Sequence, residues 1–414
     1  MTAPSMQTSS STATTPQGIV MLVSILTTVS SVYPAFLAGA LGPELRSSIG
    51  ISEGFFGLVI GSFFIGSALG SVALGRLGEQ HGARRMITVS LLTTAAMTAL
   101  IAGTIRSGAV LLVALFVAGI ANSGGQTAAN KLLSQSIEPG RLGFAMAIKQ
   151  SGMPGATLLG GLAVPAIALT VGWPWAYAAA SLLAIVALGF VLRFAPVDGP
   201  DVQRARRAAH GDERTTSLGP RPTPSTRSTL LIAAVAAYFS AAAAGTLGSW
   251  LTSSATDAGW SSGAAGLLLS VGSISGISAR LVLGWQADRS RRLPMMTAAQ
   301  FLALGALGAL TLAPRLEWTH AVGALVAFGA GWSWPALFNF AIVRTNAAAA
   351  ALATGITQTG VYLGVVTGPI VMGQLVERSG YQLGWTVAGS SMLVGAAIMS
   401  RVAGRFTDPA TTTS

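Results

Sequence analysis

The sequence predicts an all-α polytopic membrane protein, with twelve transmembrane helices in two pseudo-symmetric six-helix bundles. Three observations carry that prediction. Hydrophobic residues make up 51% of the 414 and charged residues 9%, whereas about a quarter of the residues in a soluble globule are charged. Apolar runs of roughly 20 residues, the length a helix needs to cross about 30 Å of hydrocarbon, recur from end to end. The second half of the chain also repeats motifs of the first at a nearly constant offset.

The spans fall near residues 18–41, 53–75, 86–105, 109–134, 143–169, 174–195, 229–256, 262–284, 294–313, 319–343, 351–376 and 381–403. Backbone groups in lipid must be bonded within the segment, and these runs are too long for barrel strands, so each is expected to be a helix. Their glycines and prolines suit close packing and kinking. Residues 1–17, "MTAPSMQTSSSTATTPQ", lack the basic start of a secretory signal and read as a disordered cytoplasmic tail. The first bundle is expected over 18–195 and the second over 229–406, joined by a charged, proline-rich cytoplasmic linker at 196–228 and followed by a short cytoplasmic tail at 407–414.

The net charge of +11 invites a nucleic-acid reading, but the positions of the charges argue against it. With the N-terminus inside, seventeen arginines fall in inner loops and the C-terminal tail, among them seven from Arg193 to Arg227. Four (Arg46, Arg106, Arg315, Arg378) fall outside. This positive-inside pattern puts both termini in the cytoplasm of a cell-membrane protein. There is no cysteine, and His81, His210 and His320 read as loop residues, so no metal site is expected. No cofactor is implied, no phosphate-binding G-x-x-x-x-G-K-[ST] run occurs, and no acid, base and nucleophile pairing suggests an enzyme.

The repeat is the most informative organisation. "IKQSG" at 148–152 is answered 208 residues later by "ITQTG" at 356–360, and the same offset pairs Gly160 with Gly368, Gly172 with Gly380 and Trp173 with Tyr381. At offset 209, "GRLGEQHGARR" (75–85) answers to "GWQADRSRR" (284–292). A six-plus-six helical chain with these repeated loops resembles the major facilitator superfamily over essentially its whole length. Gly75, Glu79, Arg84 and Arg85 match that family's loop signature, as do Gly284, Asp288, Arg289, Arg291 and Arg292, with Arg280 one turn earlier. Glu79 stands where the family usually has aspartate, and the second copy is compressed. The resemblance implies alternating access, in which two bundles rock about a midplane site, and it makes these residues candidates for conformational gating. It also implies that helices 1, 4, 7 and 10 line the cavity, with 2, 5, 8 and 11 beside them.

Ionisable groups inside the membrane are functional by default. None of the thirteen acids lies near the centre of a span. Leu115 also occupies the position where the family's helix-4 signature usually opens with arginine. Both points weigh against exchange of lipophilic cations for protons. Against these acids stand two embedded lysines, Lys131 in the fourth span and Lys149 in the fifth, each about 10 to 12 Å deep at 1.5 Å per residue. Either could snorkel to the headgroups. Facing a wet cavity without acids, they would make it electropositive and suited to an anion. Asn130, Gln150, Asn339, Thr357, Gln358 and Tyr362 are the candidates to complete the site, with Tyr33, Tyr238, Trp250, Trp332 and Trp334 to pack on an apolar part of the substrate.

The expected function is secondary transport of a small solute, a small organic anion before others, with a proton as candidate coupling ion. The protein is expected to work as a monomer in the lipid bilayer, with no nucleic-acid partner. An efflux pump for drugs or amphipathic metabolites is the alternative, and a non-transporting sensor the reading from another class.

Overall fold

The computed structural model describes residues 16–104, 107–196, 224–287, 294–346 and 349–406. Among these residues the chain is helical nearly throughout and has no strand. The helices are α1 (Gln17–Ala40), α2 (Gly42–Ile49), α3 (Glu53–His81), α4 (Ala83–Thr104), α5 (Gly108–Ser136), α6 (Pro139–Gln150), α7 (Gly152–Ala163), α8 (Trp173–Phe194), α9 (Pro224–Asp257), α10 (Ser262–Ala287), α11 (Pro294–Leu310), α12 (Glu317–Gly329), α13 (Trp334–Thr345) and α14 (Ala350–Val402).

Among the described residues, ten helical stretches are long and apolar enough to cross a membrane, and α11 is a shorter apolar helix. The fifth span is α6 and α7 in series, and the tenth is α12 and α13. The last stretch is two crossings, because Gly380 stands at φ 80° inside α14 and turns the chain. Twelve crossings result.

The structure adds three features that hydropathy did not reveal. A short helix, α2, fills what read as the first outer loop, and its exposed polar face left no apolar run to find. The helix α9 begins at Pro224, inside the segment expected to be linker. His320, expected in a loop, is 1% exposed within α12. Residues 1–15, 197–223 and 407–414, which hold most of the expected tails and linker, lie outside the described residues. So do Asp288, Arg289, Arg291 and Arg292, the Glu79 side chain and the surroundings of Gly75 and Gly284.

The repeat survives in three dimensions. Gly172 and Gly380 both take positive φ, 101° and 80°, just before the last span of their halves. Small residues let α7 lie close on α1 and the first part of α14 close on α9: a Cβ on Gly160 would meet the Phe36 carbonyl, and one on Gly368 the Ala242 carbonyl.

The end of the bundle at which α1 starts is the near end; the end that carries Ala40 and Arg46 is the far end. The halves pack directly on each other toward the far end. A Cβ on Gly39 would sit 2.7 Å from the Ser249 Cα, and one on Gly57 3.2 Å from the Gly373 Cα. The main apolar core runs across both halves there, through Leu37, Phe56, Ile60, Leu247 and Trp250. A second core around Val23, Ile87, Leu133 and Val191 belongs to the first half alone.

Candidate functional site

The fifth span breaks at Ser151, and its sequence explains why. Pro154 has no amide hydrogen for the carbonyl four residues back and its ring crowds that carbonyl, which leaves the Gln150 oxygen without a helical partner. The tenth span breaks between α12 and α13, where Trp332 precedes the Ser333 cap, so its carbonyl also lies outside the ladder. Arg280 on α10 takes both. Its Nε and Nη2 donate to the Trp332 oxygen at 2.9 and 2.7 Å, and its Nη1 donates to the Gln150 oxygen at 3.1 Å. A residue of the second half is thus tied to the first half at the helix break beside Lys149. The guanidinium lies 6.0 Å from the Trp332 ring centroid. Trp332 is itself packed by Phe328 and Phe36 and donates through Nε1 to the Ala244 oxygen at 2.7 Å.

Lys149 does not reach for the headgroups. It is 2% exposed, and its Nζ donates to Gln126 Oε1 at 2.5 Å. Gln126 and Asn122 stand one turn apart on α5 and so share a face. They gather Thr28 and Ser31 from α1 and Ser67 from α3. Ser31 Oγ donates to Asn122 Oδ1 at 2.9 Å, and Asn122 Nδ2 donates to Ser67 Oγ at 3.1 Å.

The other sequence candidates are dispersed. Gln358 Nε2 donates to Asn339 Oδ1 at 3.3 Å, a neutral pair at the repeat positions of Gln150 and Lys131. Thr357, at the repeat position of Lys149, is buried and its hydroxyl bonds back to the Ala353 and Thr354 carbonyls. Tyr33 donates to the Leu159 carbonyl at 3.4 Å. Trp334 is buried against Phe338, and its Nε1 has no hydrogen-bond partner among the described residues. Tyr362 is 41% exposed, Gln150 and Asn130 have exposed side chains, and Lys131 is half-buried. Trp250 lies at the far end between Phe56 and Tyr381. Of the gating candidates, Arg84 donates to the Leu192 carbonyl and Arg85 is exposed.

A polar latch at the far end had no sequence signal beyond charges at span ends. Arg46 pairs with Glu53 at 2.7 Å and donates to Ser253 Oγ at 3.1 Å across the halves. The Tyr381 hydroxyl donates to Glu53 at 3.3 Å. Glu377 Oε2 accepts from the Gly54 amide at 2.6 Å and from Ser52 Oγ at 3.1 Å, so a carboxylate of the second half caps a helix of the first. A cavity of about 490 Å³ at this end is lined by Arg46, Glu53, Asp257, Arg315, Glu377 and Tyr381.

Charge therefore divides by depth. The described ion pairs that hold arginine to acid, Arg46–Glu53 and Arg315–Asp257, belong to the far end. Among the described residues the hydrogen-bond partners of Lys149 and Arg280 are neutral oxygens. Among these residues, no group of three or more histidines and acids is placed to hold a metal ion.

Two pseudo-symmetric six-span bundles that meet at a polar centre and close at one end define a membrane transporter of the two-bundle type. The sequence model of the Major Facilitator Superfamily matches residues 20–342 and 230–412, and the chain belongs to that superfamily. Among its relatives is the Cupriavidus necator protein named "Probable sulfoacetate transporter", 25% identical over 86% of each chain. A Mycobacterium tuberculosis protein named "Uncharacterized MFS-type transporter" is 26% identical over 89% of this chain and 82% of its own. The crystal structure of a D-xylose-proton symporter shares the fold, with a TM-score of 0.72 at 14% identity over 92% of this chain and 96% of that one.

Proposed function

We propose that this transporter is a secondary carrier of a small organic anion, which Lys149 of the first half and Arg280 of the second hold between the bundles. The observation that carries this reading is the pair of embedded cations, one from each half, both bonded to neutral oxygens and linked through the backbone at Gln150. A charge inside the membrane is costly, by insertion-type estimates roughly 2.5 to 3.5 kcal/mol. Two of them left without acids favour a negatively charged guest. The name of the Cupriavidus necator relative, which specifies a small anion, points the same way.

In this reading the bundles 18–195 and 229–406 rock about the cations as a single chain in the cell membrane, with both termini in the cytoplasm as the arginine distribution argues. Asn339 and Gln358 complete the site from the second half, and a proton accompanies or exchanges with the anion. The test is counterflow in proteoliposomes with small carboxylates and sulfonates, neutral solutes and lipophilic cations, comparing the parent with Lys149→Gln and Arg280→Gln. Saturable anion counterflow that both substitutions impair is expected. Transport restricted to lipophilic cations or neutral drugs would replace this reading with efflux.

A further inference from the structure

We propose that Gln126 sets the charge preference of the site: its neutral amide fixes the Lys149 ammonium without cancelling its charge. This rests on the anion-site reading above and adds a residue with no motif, charge or repeat to mark it.

The amide is used at both ends. Oε1 accepts from Lys149 Nζ at 2.5 Å and from Thr28 Oγ1 at 3.4 Å. Nε2 donates to Ser31 Oγ and to Asn122 Oδ1, each at 3.3 Å. A flip of the amide would set its NH2 against the ammonium and its oxygen against Asn122 Oδ1, so the surrounding donors and acceptors determine one orientation. Those partners are fixed in turn: Ser31 Oγ also donates to Asn122 Oδ1, and Ser67 Oγ donates to the Gly119 carbonyl at 2.9 Å. Helices α1, α3, α5 and α6 thus share one hydrogen-bond network, and within it the Gln126 Oε1, reached from α1 and α6, faces a lysine.

The usual partner of a buried lysine is a carboxylate, because an unpaired cation loses its hydration with little return. A glutamate at 126 would have nearly the same shape, accept the same bond and form an ion pair. The chain instead carries an amide, and its thirteen acids lie away from the span centres. The cation is held by a charge-assisted hydrogen bond while its field remains directed at whatever enters the site. Gln126 is therefore a positioning residue for Lys149 whose neutrality determines which sign of charge is accepted.

The experiment uses the full chain in proteoliposomes, with parent, Gln126→Glu, Gln126→Leu and Lys149→Gln. Labelled sulfoacetate and a set of small dicarboxylates serve as anion probes, and melting temperature is recorded for each variant in detergent. For the anion the parent moves best, Gln126→Glu is expected to raise KM by about tenfold or more, with a melting temperature above that of Gln126→Leu because the ion pair gained with Lys149 offsets the Nε2 bonds lost to Ser31 and Asn122. Gln126→Leu is expected to raise KM as well, but with a lower melting temperature. A residue that served only packing would lose affinity and stability together in both variants. If Lys149→Gln impairs anion transport and Gln126→Glu keeps the parental KM, Gln126 does not set the preference and this inference alone fails. If the parent moves no anion, or Lys149→Gln transports as the parent does, the anion site fails and takes this inference with it.

Discussion

Replacing Glu377 with alanine should open the far end. The Glu377 carboxylate accepts the Gly54 amide at 2.6 Å and the Ser52 hydroxyl at 3.1 Å. Gly54 is the second residue of α3, whose cap, Ser52 Oγ, already accepts from the Phe55 amide at 3.2 Å. The first turn of that helix therefore has one of its orphan donors satisfied from its own half and one from the other. Hydrogen bonds to a charged group contribute roughly 1.5 to 3 kcal/mol each, and a negative charge at a helix N-terminus adds about 0.3 to 1 kcal/mol. Both contacts exist only while the halves are closed. Glu377 is largely exposed, so screening and replacement by water reduce the sum, and about 1.4 kcal/mol is a reasonable net loss, a tenfold change in the ratio of closed to open. The chain has no cysteine, so a Ser249→Cys substitution supplies a unique thiol. Ser249 is 1% exposed and lies against Gly39 across the halves. When the open state is the minor one, the rate of maleimide labelling at this position follows its population. Glu377→Ala should raise that rate about tenfold in detergent-solubilised protein. An unchanged rate, with full labelling once the protein is unfolded, would refute the assignment of Glu377 as a closing contact.

Three further outcomes follow from the same geometry. Arg280→Lys should slow initial counterflow by about tenfold or more, because one ammonium lacks the planar fork that spans the Gln150 and Trp332 carbonyls; a parental rate would show that the fork is dispensable. Trp385→Phe removes the indole donor that Ser254 accepts at 2.6 Å, in the chain that continues to His320 at 2.9 Å. It should destabilise the protein by about 1 to 3 kcal/mol, visible as a lower melting temperature, with KM unaffected. Gly380→Val forces a β-branched residue to φ 80°, which costs about 1 to 2 kcal/mol or more and should also lower the melting temperature.

The twelve crossings were legible because a membrane span is written in composition and length, and the repeat was legible because duplicated turns keep their glycines: Gly172 and Gly380 hold the same backbone geometry 208 residues apart. The short helix α2 was not legible, since it rests on tertiary packing and carries no apolar run. The breaks within the fifth and tenth spans were marked by Pro154 and Pro335, but a proline inside a membrane helix can also be absorbed as a mild kink. Only the structure reveals that Arg280 meets the Gln150 carbonyl freed by Pro154 and the Trp332 carbonyl at the second break. Lys149 could be singled out because a charge stands out in an apolar run. Gln126 and Asn122 could not, because neutral polar residues in a helix announce neither their face nor their partner; spacing of four places them on one side, and only the contact with α1 and α6 gives that side meaning. The far-end latch was hidden for the opposite reason: charges at span ends are so common that Arg46, Glu53 and Glu377 had nothing to distinguish them.

The central claim is that one cation from each half holds the anion. It is tested most directly by equilibrium binding of the transported anion to the purified protein, in parallel with a neutral amide analogue of the same shape, for the parent, Lys149→Gln and Arg280→Gln. Each substitution should weaken anion binding by about tenfold or more and leave the neutral analogue within about twofold of its parental affinity, less than 0.5 kcal/mol. Parental anion affinity in both variants, or an equal loss for the charged and neutral ligands, would contradict it.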